Sequence, residues 1–160
     1  MRAASGARSV AAAGRCEVTR TPAPIAALLG SPAFAFAARI ALTCAFWWGG
    51  FAKLRDFQGA LVEAQHFVGP SGAAAVAVLT IAVELVGSAL LIAGRFAWLG
   101  AGALGVFTVL ATLIAHSFWQ VQDAGERFRE FNTFLEHIGL VGGLALAAVL
   151  ADAPRRTLPE

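Results

Sequence analysis

Four stretches of this chain stay apolar for longer than a globular core requires, and they limit the fold more than any other feature. The hydrocarbon core of a bilayer is about 30 Å thick and takes about 20 mainly apolar helical residues to cross. Segments of that length occupy about 33–53, 72–93, 97–119 and 133–151. Only 14% of the 160 residues are charged, against roughly 25% in an ordinary soluble domain. A soluble fold of this size has nowhere to bury a composition that is 58% hydrophobic. The sequence therefore predicts an all-α membrane protein, a transmembrane four-helix bundle.

Local signals mark the ends of these spans. Ser31-Pro32 reads as an N-cap with proline in the first turn of span one. Gly94-Arg95 leaves only a tight turn between spans two and three, which makes them antiparallel neighbours. Between spans one and two, Phe57, Leu61, Ala64 and Val68 recur at helical spacing. Asp56 stands at the start of that segment as a cap, and Gly69-Pro70 ends it. This predicts a short interfacial helix lying on the outer membrane surface. The expected organisation is a disordered cytoplasmic tail over 1–30, a four-helix membrane domain over 31–151 and a cytoplasmic C-terminal tail over 152–160. The opening MRAASGARSVAAAGRC has arginines but no apolar h-region, so it does not read as a signal peptide.

Basic residues predict the orientation. Arg2, Arg8, Arg15, Arg20, Arg95, Arg155 and Arg156 fall on one side, and Lys53, Arg55, Arg127 and Arg129 on the other. The positive-inside rule then places both termini in the cytoplasm of a bacterial plasma (inner) membrane. Trp47, Trp48 and Trp119 are expected near the outer interface and Trp98 near the inner one. The net charge of +2 gives no footing for nucleic acid. Cys16 and Cys44 form no Cys-x-x-Cys pair, so a redox role needs a bound cofactor or a partner.

Each span carries one small and polar face. Arg39, Thr43, Phe46, Gly50 and Lys53 share a stripe in span one, and Ala77, Thr80, Glu84, Gly87 and Ser88 in span two. Span three has Ala101, Gly105, Thr108, Thr112 and His116; span four has Glu136, Gly139 and Gly143. Small residues allow close approach and polar ones bond across helices, so these faces are expected to turn inward. An ionised group near a span centre costs about 2.5–3.5 kcal/mol on insertion scales, so Glu84 needs a partner. Arg39 lies at a similar expected depth, and a buried Arg39–Glu84 ion pair is the predicted solution, with a proton-carrying Glu84 as the functional alternative.

A second polar group, Lys53, His116, Glu136 and His137, gathers at the outer end. A quinone carbonyl takes a histidine or lysine donor, and an interfacial pocket suits an isoprenoid tail. These four are the candidate ligand-binding residues, with quinone as the candidate cofactor. A metal site is not expected, because the adjacent Glu136 and His137 point about 100° apart on a helix. Structural readings stand beside this one. Thr133 to Glu136 matches a capping box, and Lys53 is also placed to snorkel.

The same residues carry a resemblance. Arg39-x-x-Leu42-x-x-x-Phe46-x-x-x-Gly50-x-x-Lys53-Leu54 resembles the first-helix signature of the DoxX family of small four-helix integral membrane proteins. Glu84-Leu85-x-Gly87-x-x-Leu90-Leu91-x-x-Gly94-Arg95 is similar to its second. Phe107-Thr108-x-x-Ala111-Thr112-x-x-x-His116-x-Phe118-Trp119 is similar to its third. Phe134-Leu135-Glu136-His137 departs from the Phe-Leu-Lys-Asn that often opens the family's fourth helix. The resemblance implies an accessory or quinone-interacting subunit of a membrane redox or oxidative-stress system. A self-contained quinone-linked oxidoreductase and a small transporter are the alternatives. Expected partners are the lipid bilayer, redox-complex subunits and a second copy of the chain.

Overall fold

The structure, a computed structural model, describes residues 21–156. Its elements there are helices: α1 (Ala23–Leu29), α2 (Pro32–Leu42), α3 (Cys44–Arg55), α4 (Phe57–Val68), α5 (Ala73–Ala93), α6 (Ala97–Ala115), a 3-10 turn at Phe118–Gln120, and α7 (Ala124–Arg156). The segments Ala73–Ala93, Ala97–Gln120 and Ala124–Asp152 are each long and apolar enough to cross a membrane. The pair α1 and α2, bent by 61°, counts as a fourth when taken together. The chain is thus a helical, multi-pass membrane protein with three to four candidate spans.

The caps follow the sequence at several ends. Ser31 accepts a bond from the Phe34 N–H at 3.5 Å, and Asp56 accepts one from the Gly59 N–H at 2.9 Å. Gly94 closes α5 in the left-handed region, at φ 72°, where a missing Cβ removes the steric cost.

Three elements differ from expectation. Span one is not a single helix over 33–53: it breaks at Thr43, between α2 and α3. The Thr43 side chain is fully buried and donates its hydroxyl proton back to the Arg39 carbonyl at 2.8 Å, a local bond that bends helices. The stretch read as tail before residue 31 contains α1, while the reading of 1–20 lies outside the described residues. Span four starts at Ala124, nine residues before the expected Thr133. Asp123 caps it, accepting from the Glu126 N–H at 2.8 Å. Thr133 instead donates to the Arg129 carbonyl at 3.2 Å, so the capping box is not used. The helix also runs on to Arg156, into the expected C-terminal tail.

α5 organises the first half of the chain, because α2, α3 and α4 all pack on it. A Cβ on Gly94 would lie 2.6 Å from an Arg39 guanidinium nitrogen, and one on Gly50 2.8 Å from Leu85. Ala60 and Ala64 of α4 form a buried cluster with Ala73 and Ala77. Reading upward in α2, α3 and α4 therefore means reading downward in α5. The buried face of α4 is its alanine pair, while Phe57 and Val68 stay exposed.

α5 and α6 touch at glycines. A Cβ on Gly100 would lie 2.6 Å from the Gly87 carbonyl oxygen, and one on Gly87 2.9 Å from Leu104. The core beside this contact holds Phe46, Leu91, Ala97, Ala101, Leu104 and Leu144. The inward stripes of spans two and three are close to those read from sequence: Ala77, Glu84, Gly87 and Ser88 are buried in α5, and Ala101, Thr108 and Thr112 in α6. Their hydroxyls are satisfied within the helix. Ser88 donates to the Glu84 carbonyl, Thr108 to Leu104 and Thr112 to Thr108. In α7 the buried position is Leu144, flanked by Leu140, Ala147 and Ala148. Glu136 and Gly139, expected inward, are exposed, because the longer helix turns a different face to α6.

Candidate functional site

The buried carboxylate of Glu84 is paired with Lys53, whose Nζ lies 3.1 Å from Oε1 and 3.4 Å from Oε2. The expected Arg39–Glu84 pair is not formed. The kinked α2–α3–α4 track explains this. Arg39 lies beside Gly94 at the C-terminal end of α5, where a cation faces the negative end of a helix dipole. Lys53 lies level with Glu84, the twelfth of the 21 residues of α5. Lys53 is therefore not a snorkelling residue at the end of a span. It sits at mid-height on α5, with 22% of its side chain accessible.

The two histidines of the candidate site do meet. The rings of His116 and His137 are 4.9 Å apart, edge to face at 76°. His116 is the residue that ends α6, and His137 projects from α7. Each ring is held by its Nδ1. Thr112 Oγ1 lies 2.8 Å from Nδ1 of His137. The single Thr112 proton is already donated to the Thr108 carbonyl at 2.6 Å. Thr112 must then accept from His137, which puts the proton on Nδ1 and leaves a lone pair on Nε2 of the neutral ring. His116 Nδ1 lies 2.7 Å from Glu130 Oε2, where the carboxylate accepts.

A cavity of about 860 Å³ joins these groups. It runs between α4 and α5 on one side and α6 on the other, and Lys53, Glu84, Thr108, His116 and His137 all reach it. The remaining wall is almost wholly apolar, from Phe46 and Val83 to Leu110 and Ile114, with Glu63 as a further carboxylate. Val106, Leu110 and Ile114 also face outward, at 63%, 55% and 59% exposure, so the groove opens sideways along α6. Because His137 bonds Thr112 and Glu84 lies three residues from the Gly87–Gly100 crossing, the His137 ring stands about 14 Å beyond the Lys53–Glu84 pair at 1.5 Å per residue, with His116 further still. Such a groove accommodates an amphipath, with a hydrogen-bonding head near the rings and an apolar tail along α6.

Of the four candidate ligand residues, Lys53, His116 and His137 line one cavity. Glu136 is exposed and not among the lining residues. Glu130 is the residue that sequence reasoning missed, since it lies between the expected spans 97–119 and 133–151. Had the helix been started at Asp123, Glu130, Phe134, His137 and Val141 would have fallen on one face, at the 4-3-4 spacing of a helical stripe. Among the described residues, no three His, Cys, Asp or Glu side chains are grouped so as to hold a metal ion.

Comparison with protein families gives one match: the family model described as DoxX covers residues 34–117, more than half of the 160-residue chain. The matched stretch contains Arg39, Lys53, Glu84, Thr112 and His116, and it stops before Glu130 and His137. No curated protein and no solved structure matches the chain.

Proposed function

The chain belongs to the DoxX family, and on that premise we propose that it is an accessory, quinone-binding subunit of a membrane redox or oxidative-stress system. The groove carries this reading. Its volume of about 860 Å³ falls within the roughly 300–1,000 Å³ typical of small-molecule sites. Its polar groups stand at two levels, the histidine rings and the Lys53–Glu84 pair, and its walls are otherwise apolar. The Nε2 lone pair of His137, beside the His116 ring, accepts a headgroup hydroxyl proton, and Lys53 lies deeper, toward the tail. The tail has room between His116 and Trp98, 18 residues and about 27 Å apart along α6.

In this proposal the protein sits in a bacterial plasma membrane as a four-helix bundle, with the kinked α2–α3–α4 track as the first crossing and both termini cytoplasmic. With Lys53 taken up at mid-height by Glu84, the remaining seven-to-three distribution of basic residues supports that orientation. Its partners are redox-complex subunits and a second copy of the chain.

The test is quinone analysis of the full chain, extracted in native lipid and compared with the bulk lipid of the same membrane. Enrichment of one quinone species that is lost in His116→Ala is the expected result. A pull-down from the same extract identifies the redox partner. Quinone at no more than its bulk proportion in the wild-type particle rejects the proposal.

A further inference from the structure

Glu130 belongs to a second, separate hollow. This one, about 320 Å³, is lined by Ala115, Ser117, Val121, Glu126, Arg129 and Glu130, and its surface is mostly polar. Its charged groups lie outward: the side chains of Glu126 and Arg129 are 62% and 70% accessible, and that of Glu130 is 37% accessible. His116 lines the apolar groove instead, and Ala115 borders both. The 2.7 Å bond between Glu130 Oε2 and His116 Nδ1 therefore links a group in the polar hollow to a group in the groove. The bond joins the polar hollow to the largely apolar groove through two groups able to carry a proton.

We propose that Glu130 and His116 form a proton path between the aqueous hollow and a headgroup bound in the groove. The path rests on the quinone reading, because it needs a ligand that gains and loses protons. For outward transfer, the bound headgroup gives a proton to the free Nε2 of His116, Nδ1 passes its own proton to the Glu130 carboxylate, and Glu130 releases it to water. One proton enters and one leaves; inward transfer is the reverse, starting from the His116 tautomer protonated at Nε2. The His137 ring faces that of His116, with centroids 4.9 Å apart, and its Nε2 lone pair is the proposed next waypoint. Other titratable groups face the path at its two ends. Glu126 and Arg129, 3.7 Å apart, stand in the hollow. Lys53, Glu84 and Glu63 stand in the groove.

Glu130 stands in the polar hollow, apart from the residues that line the groove, and the test uses that separation. Full-length protein with 15N-labelled histidine is placed in lipid nanodiscs. Proton exchange at the His116 ring nitrogens is followed by NMR, and binding of a ubiquinone with two isoprene units is measured on the same samples. Glu130→Gln keeps the size and a hydrogen bond but carries no proton. It should slow exchange at His116 by about 100-fold, the scale of a positioned acid-base group, while ubiquinone binding is unchanged. Glu130→Asp should recover part of the rate. Unchanged exchange in Glu130→Gln overturns the path, and so does loss of ubiquinone binding in that variant, which would make Glu130 a prop for the groove. If exchange slows as expected but the wild-type chain binds no ubiquinone, the path stands and the quinone reading falls.

Discussion

Lys53 Nζ lies within 3.4 Å of both carboxylate oxygens of Glu84, so one ammonium ties α3 to the middle of α5. Breaking a buried pair by removing one partner costs about 3–5 kcal/mol. Lys53→Met and Glu84→Gln should each lower the unfolding midpoint in mild detergent. The double change should cost less than the sum, and a double-mutant cycle reads the coupling directly. The same cycle on Arg39→Gln and Glu84→Gln should be additive, because Arg39 lies against Gly94 rather than Glu84. Coupling between Arg39 and Glu84 would contradict the packing of α2 described above.

The α5–α6 crossing makes a sharper prediction. Gly100→Ala drives a methyl to 2.6 Å from the Gly87 carbonyl oxygen, and overpacking of this kind costs about 1–3 kcal/mol. Backbone cannot rotate away as a side chain can, so the upper end is expected. Gly102→Ala, two residues on, meets nothing within 4 Å and should leave stability intact. Thermal unfolding of both variants, followed by circular dichroism, checks the contrast.

Thr112 fixes His137 by accepting its Nδ1 proton. Thr112→Val keeps the shape and removes the acceptor, leaving a buried donor unsatisfied at a cost of about 1–3 kcal/mol. Binding of short-chain ubiquinone should weaken about tenfold, equivalent to about 1.4 kcal/mol, and Thr112→Ser should restore it. His116→Ala should weaken binding while expression stays near normal, since the residue sits at the end of α6 and its bond to Glu130 is only part-buried. Equal binding by Thr112→Val and wild type would remove His137 from the ligand site.

Orientation is checked by reporter insertions in the two connections at one end of the bundle, after Ser71 and after Gln122, and by a fusion after Leu158. The first two should report the outer side and the third the inner side. A C-terminus on the outer side would reverse the assignment drawn from the basic residues.

The parts of this fold that were legible in sequence are those where a single helix decides the matter. Spans two and three are continuous, and their polar stripes can be read at 3.6 residues per turn, as Glu84, Ser88, Thr108 and Thr112 show. The partner of Glu84 was not legible, because depth arithmetic assumes one straight first span and the chain instead breaks at Thr43 and again at Asp56. Lys53 reaches the middle of α5 only through that path. The start of α7 was hidden for a different reason. Hydropathy marks where a helix is apolar, whereas Asp123 and the polar turns after it make the helix begin well before that point. Glu130 went unread as a consequence, although its partner His116 stood out.

The sideways opening of the groove along Val106, Leu110 and Ile114 changes what affinity means for this protein. A ligand that enters there arrives by two-dimensional diffusion and never passes through water. Occupancy then follows its mole fraction among lipids, and the competitor for an empty groove is an acyl chain. Diluting the membranes in buffer leaves occupancy unchanged, while diluting the ligand with added phospholipid empties the site. The composition of the surrounding leaflet thereby becomes a control on occupancy, without any change in the protein.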